Sequence, residues 1–196
     1  MSTFTLQANG KVLGALALKP AAGAINSEQA GRGGVSLYGA VTTDAASTAT
    51  LTSAADINRA SGTITAGTVD LSAASGIGNT GALSTATETI GAATTAGVID
   101  IDNAFGTTTT VTALTTVAGA INFDQTGAGG VSLNGDVTTD AASTATLTSA
   151  ADINRASGTI TAGTVDLSAA SGIGNTGALS TAIETHGAAT TAGVID

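Results

Sequence analysis

The sequence predicts an all-β chain wound as a parallel β-solenoid, and three observations carry that prediction. First, Val35 to Asp100 returns as Val131 to Asp196, a shift of 96 residues with only four substitutions. A near-exact tandem copy means that one supersecondary unit is stacked on itself. Second, a short frame, Gly-x-apolar-polar-apolar, recurs at Gly67-Thr-Val-Asp-Leu71, Gly97-Val-Ile-Asp-Ile101, Gly119-Ala-Ile-Asn-Phe123 and Gly163-Thr-Val-Asp-Leu167. Alternation with period two belongs to a strand with one buried face. Third, glycine and β-branched residues fall every few positions and no apolar stripe persists at 3.6, which excludes helices.

Taken in order, residues 1–21 stand apart as an N-terminal segment: a first strand, a tether, or a strand donated to a neighbour, with Phe4-Thr-Leu6 as its strand candidate. Residues 22–196 read as the solenoid, two tandem repeats of which the second is incomplete. Frame glycines at 23, 67, 97, 119, 163 and 193 are spaced by 44, 30, 22, 44 and 30 residues. A gap of 44 is two coils of about 22, the missing start being Thr48-Ala-Thr-Leu-Thr52 and its copy at Thr144 to Thr148. Each repeat is then four coils, three near 22 residues and one extended to 30, its extra length looped out over Gly81 to Ala96. Two of the four substitutions, Thr87 to Ile183 and Ile90 to His186, fall in that stretch. Corners are supplied by Ser72-Ala-Ala-Ser-Gly76, Gly78-Asn-Thr-Gly81, Asn134-Gly135 and Gly31-Arg-Gly-Gly34, where small or positive-φ residues are needed. About eight coils with rungs ~4.8 Å apart make a rod of roughly 40 Å. Ser27 stands where the later copy has Phe123, so the first coil is expected to fill its core less well.

Composition narrows the function classes. The 196 residues include three Phe, one Tyr and no Trp, so the core is built from Ala, Val, Ile and Leu. Disordered chains are poor in β-branched residues and rich in charge or proline, the reverse of this one. The net charge is −9 and no basic cluster exists, which disfavours nucleic acid and anionic membranes as partners. Without cysteine there is no disulfide or thiol chemistry. The longest apolar run, Val12 to Leu18, is far short of the ~20 residues that span a bilayer. Ala22-Gly-Ala24 imitates a signal-peptide cleavage site, but the same words recur as Ala118-Gly-Ala-Ile-Asn122 inside the array. An export signal is therefore expected outside this sequence. The sequence stops part-way through a coil at Gly193 to Asp196. The expectation is either a piece of a longer array or chains that stack end to end and cap one another.

Phrases such as Leu51-Thr-Ser-Ala-Ala-Asp-Ile-Asn58 and Gly67-Thr-Val-Asp-Leu-Ser-Ala-Ala-Ser-Gly-Ile-Gly-Asn79 resemble the repeats of filamentous-haemagglutinin-like and autotransporter-type adhesins. The resemblance covers about Ala22 to Asp196, is one of vocabulary, and carries over no binding residue. It implies a right-handed parallel β-helix in an exported, elongated, structural or adhesive protein, extracellular or at the cell surface. The implied partners are copies of the chain end to end, adjoining repeats of a longer chain, or surface glycans.

No catalytic, cofactor-binding or metal residue is assigned, and no cofactor. Asp70 and Asp100 share a frame position and are expected on neighbouring coils, with Asn122 on the next. Such stacked oxygens suit Ca²⁺, but solvated outward acids explain them as well, and that reading is adopted. The G-G-x-G-x-D nonapeptide is absent, and Asp100-Ile-Asp-Asn103 lacks EF-hand spacing. Paired acids in a β-helix groove hydrolyse polysaccharides, yet here no recurring His, Tyr or Trp accompanies them. His186, the single histidine, replaces Ile90 and reads as surface drift. An enzyme is not expected. Thr-x-Thr at Thr48-Ala-Thr50, Thr50-Leu-Thr52, Thr63-Ile-Thr65, Thr85-Ala-Thr87 and Thr87-Glu-Thr89 raises an ice-binding face as the alternative function, with polysaccharide processing third. Against ice binding, the pairs follow no fixed offset per coil, and threonine has high β propensity in any case. Arg59 and Arg155, beside Asp56 and Asp152, read as local salt bridges or solvated turns.

Overall fold

The computed structural model describes residues 4–8, 13–15 and 23–195. The early strands are β1 (Phe4–Ala8), β2 (Leu13–Ala15), β3 (Ile25–Gln29), β4 (Val35–Leu37) and β5 (Val41–Thr42). They are followed by β6 (Thr48–Ser53), β7 (Asp56–Arg59), β8 (Ile64–Ala73), β9 (Gly76–Ile77) and β10 (Leu83–Thr94). Next come β11 (Ile99–Asn103), β12 (Thr109–Thr116) and β13 (Ile121–Gln125). The second copy supplies β14 (Val131–Leu133), β15 (Val137–Thr138), β16 (Thr144–Ser149) and β17 (Asp152–Arg155). It ends with β18 (Ile160–Ala169), β19 (Gly172–Ile173) and β20 (Thr181–Thr190). Every strand pair is parallel and links one coil to the next, giving about eight turns with a coil spacing of about 21 residues. The parallel β-solenoid is the architecture the frame alternation predicts. Strands β1 and β2 belong to it, pairing with β3 and β4.

Period-two burial follows the sequence frame. In β6 the pattern over Thr48 to Ser53 alternates half-buried and buried, and β11 does the same. Stacking places like on like: Val35, Ile57, Ile77, Ile99 and Ile121 form one inward row, all fully buried. Each such aliphatic side chain contributes roughly 1.5–3 kcal/mol by leaving water. Phe123 sits between Ile101 and Leu147 in another row, whereas its counterpart Ser27 is buried with its hydroxyl lacking a hydrogen-bond partner. The corners are tight. At Gly97, φ is +84° and an added Cβ would overlap the Ser75 carbonyl oxygen of the coil before; at Gly119, φ is +125° and the obstacle is Gly97 itself.

The coil plan within each repeat differs from the expected one. No coil is extended to 30 residues: β10 pairs in parallel with β8, and its residues Thr89 to Thr94 lie directly against Thr68 to Ala73. Residues 83–94 are therefore wall, not an out-looped face. Rows 96 residues apart show why the glycine spacing misleads. Ile25, Ala49, Val69 and Ile90 form one row. Their counterparts Ile121, Ala145, Val165 and His186 continue the other row, the one that runs through Val35, Ile57, Ile77 and Ile99. From Ile25, four coils reach Val111, and Ile121 stands ten residues farther on, about half a coil. One repeat thus advances four and a half turns, and the 30-residue gap is one and a half coils. In a closed coil, positions half a contour apart lie on opposite sides. The second copy presents each residue on the side away from its counterpart.

Candidate functional site

The outward positions of the two walls form the candidate site. On one wall Thr48, Thr50 and Thr52 lie in register with Thr68, Asp70 and Ser72, and these with Thr89, Gly91 and Ala93. On the other, Thr144, Thr146 and Thr148 lie against Thr164, Asp166 and Ser168, then Thr185, Gly187 and Ala189. These are the same patch, shown once on each side of the rod. Thr48, Thr68, Thr89 and Thr110 make a hydroxyl ladder over four consecutive coils, continued by Ser132. Within the patch threonine fills only that column, and the third column returns to threonine at Thr115, Thr138 and Thr161 on later coils. Asp70 and Gly91 break the next, and Ser72 and Ala93 break the third. A Cβ built on Gly91 would lie 2.8 Å from Thr112 Oγ1 and 3.3 Å from Asp70 Oδ1, so a neighbouring hydroxyl and carboxylate crowd the place where a side chain would stand.

The expected acid stack is only partly present. Asp100 and Asn122 are in register as expected. Asp70 is not on the coil next to Asp100; it pairs with Thr50 and Gly91 on the other wall, because Gly67 and Gly97 are one and a half coils apart. A bridge between Asp70 and Asp100 is thereby excluded. The acids that do meet are Asp100, Asp102 and Asp124, with Asp102 and Asp124 directly opposite. Burial first, and then the Asp102 carboxylate, pushes Asp100 and Asp124 above the usual aspartate range. Among the described residues no group of three His, Cys, Asp or Glu is placed to hold a metal ion.

Two other acids act as clasps between coils. Asp44 Oδ2 accepts from Gly23 N at 2.9 Å and Ser47 Oγ at 2.9 Å, and Oδ1 accepts from Ala46 N at 3.0 Å. Asp140 repeats this with Ser143 Oγ at 2.8 Å, Gly119 N at 3.0 Å and Ala142 N at 2.8 Å. These bonds, led by that from Gly23 for Asp44 and by that from Ser143 for Asp140, hold both carboxyls below the usual range. Asp44 and Asp140 contribute stability that is present above pH 3.8 and lost as pH falls through their lowered folded values. Asp100 and Asp124 have the opposite sign, their contribution being complete below 3.8 and lost as pH rises through their raised values. Replacing Asp124 by asparagine removes the like-charge pair and is expected to stabilise the chain by ~0.5 kcal/mol at pH 7. In urea titrations that gain should shrink towards pH 3, and a gain that persists unchanged there would contradict the charge argument.

The remaining sequence candidates are structural. Arg59 Nε donates to Ala82 O at 3.3 Å and Nη1 to Gly62 O at 3.3 Å, while Asp56 accepts from Asn58 at 2.7 Å. Arg155 likewise reaches Gly158 O at 2.6 Å and Ala178 O at 3.5 Å. Of the two readings, salt bridge or solvated turn, the contacts fit the turn: both guanidiniums clasp turn carbonyls. His186 is exposed in β20, in register with Val165, whereas Ile90 is fully buried. A buried polar cluster escaped the sequence reading. Asn103, Thr85, Thr87, Thr109 and Gln125 are each 0% exposed and joined by hydrogen bonds of 2.7–3.0 Å. The signal was available, since Asn103 falls two residues after Ile101 and Gln125 two after Phe123, both on inward positions.

Comparison with protein-family models, with curated proteins and with solved structures found no match.

Proposed function

We propose that this chain is a structural or adhesive section of a bacterial extracellular rod. The observation that supports this best is the unbroken parallel ladder that runs through both copies and turns one polar patch to opposite sides. Such a body transmits length and displays a repeated surface, the task of a stalk. No residue is given a catalytic role. Surface glycans are the ligand class that suits outward hydroxyls and carboxylates. An antibody against the chain should label the outside of intact source cells; label confined to the cell interior would overturn the reading. The Thr48–Thr68–Thr89–Thr110 ladder favours ice binding as the second reading. Thermal hysteresis in the purified protein would promote it over the stalk.

A further inference from the structure

The two copies share one corner that differs in its chemistry. Asn134-Gly135-Asp136 joins β14 to β15, and the equivalent corner of the first copy reads Tyr38-Gly39-Ala40. Glycine is obligatory in it, because a Cβ on Gly135 would overlap the Thr112 carbonyl oxygen of the coil before. Stacking therefore places, directly after an exposed asparagine, the one residue whose amide nitrogen no side chain shields.

Among the described residues Gly135 N donates no hydrogen bond, so this nitrogen is not held in the ladder. Ser132 Oγ donates to Asn134 Oδ1 at 3.0 Å and draws electron density from the side-chain carbon Cγ. Ser157 Oγ donates to Asn134 O at 2.5 Å, and that carbonyl belongs to the same peptide group as Gly135 N. The second bond makes the Gly135 N–H more acidic, because resonance spreads the charge of a deprotonated nitrogen onto the oxygen. One hydroxyl thus prepares an electrophile and the other prepares a nucleophile.

We propose that Asn134 is a self-modification site, where the folded corner converts the amide to a carboxylate without an enzyme. Gly135 N attacks Asn134 Cγ, and the new N–Cγ bond closes a five-membered succinimide ring. The Cγ–Nδ2 bond breaks, and Nδ2 leaves as ammonia with the proton lost from Gly135 N. Solvent water then opens the ring to aspartate or isoaspartate; nothing is oxidised or reduced. Ser132 and Ser157 are positioning residues, and Ser132 Oγ also steadies the oxyanion that forms on Oδ1. Each event adds one negative charge beside Asp136, whose Oδ1 is held by Thr159 N at 2.9 Å. The corner at Tyr38 has no amide to react, so only one of the two equivalent corners gains the charge.

Incubation of the intact folded chain at mildly alkaline pH, followed by peptide mapping and mass spectrometry, tests this. The expected result is a mass gain of one unit at Asn134, at a rate that rises in proportion to hydroxide. Mapping separates this signal from Asn9-Gly10, a like pair that lies outside the described residues. Ser157→Ala should slow the reaction roughly three- to tenfold, and Ser157→Thr, which keeps the hydroxyl, should restore it. Tyr38→Asn supplies the missing amide to the first-copy corner, where Ser61 Oγ already donates to Tyr38 O at 2.6 Å. A second reactive site should then appear, and this holds whether or not the serine variants fold. A folded chain that keeps its mass at Asn134 while its urea-unfolded form gains it would overturn the proposal. So would a folded Ser157→Ala chain that reacts as fast as the parent, or a Tyr38→Asn chain with no second site.

Discussion

Replacing Gly97 by valine is expected to break the stack at its middle, with a loss of about 4 kcal/mol or more. Two independent costs meet at this corner. The backbone is at φ +84°, a region that a β-branched residue avoids, and the new Cβ would overlap the Ser75 carbonyl. Relief by backbone movement is blocked because Gly97 O also accepts from Thr116 Oγ1 at 3.1 Å and lies against Gly119. Gly106 is the control: it is exposed, its φ is not positive, and a Cβ there meets nothing within 4 Å. Gly106→Val should change stability by no more than ~0.5 kcal/mol. Urea unfolding of the two variants measures the contrast. Hydrogen exchange should show protection lost first in the coils around 75–119, because each coil of a solenoid depends on its neighbours. Equal losses in the two variants would contradict the stacked-corner account.

Asn103→Leu is the second large effect, a loss of roughly 3–5 kcal/mol despite the gain in apolar volume. Asn103 Oδ1 accepts from Thr85 Oγ1 at 2.9 Å and Thr87 N at 3.0 Å. Its Nδ2 lies 3.0 Å from Thr87 O, 2.7 Å from Thr109 Oγ1 and 2.9 Å from Gln125 Oε1. Leucine leaves these groups buried and short of partners, and the cost of unsatisfied groups exceeds the net worth of the bonds themselves. A second change, Gln125→Leu, should then cost less on top of Asn103→Leu than it does alone, since the Asn103 Nδ2 donor to its Oε1 is already gone. A denaturation double-mutant cycle that shows simple additivity would mean the cluster is not a unit.

Much of this was legible in the residues. The frame Gly67-Thr-Val-Asp-Leu71 gave the strand, its inward pair Val69 and Leu71, and the outward Asp70, because burial on one face imposes a period of two wherever the strand lies. What the frame does not encode is which wall it belongs to. Both walls of the rod demand the same alternation, so Gly67 and Gly97 look like successive coils when they are one and a half coils apart. That single misassignment produced the absent 30-residue coil and the absent Asp70–Asp100 stack. The polar cluster at Asn103 was readable by the same alternation. The clasps of Arg59 and Asp44 were not, because their partners are backbone atoms brought near by the corner geometry.

The half-turn offset is the claim on which the two-sided display depends, and disulfide trapping tests it most directly. The chain has no cysteine, so introduced pairs report without interference. Ser72 and Ala93 are exposed and face each other on adjacent strands, at the distance a disulfide spans. In an arrangement with one 30-residue coil, Ser72 would face Asp102 instead. The account predicts that Ser72→Cys with Ala93→Cys closes a bond under mild oxidation, while Ser72→Cys with Asp102→Cys stays reduced. Closure of the second pair and not the first would contradict it.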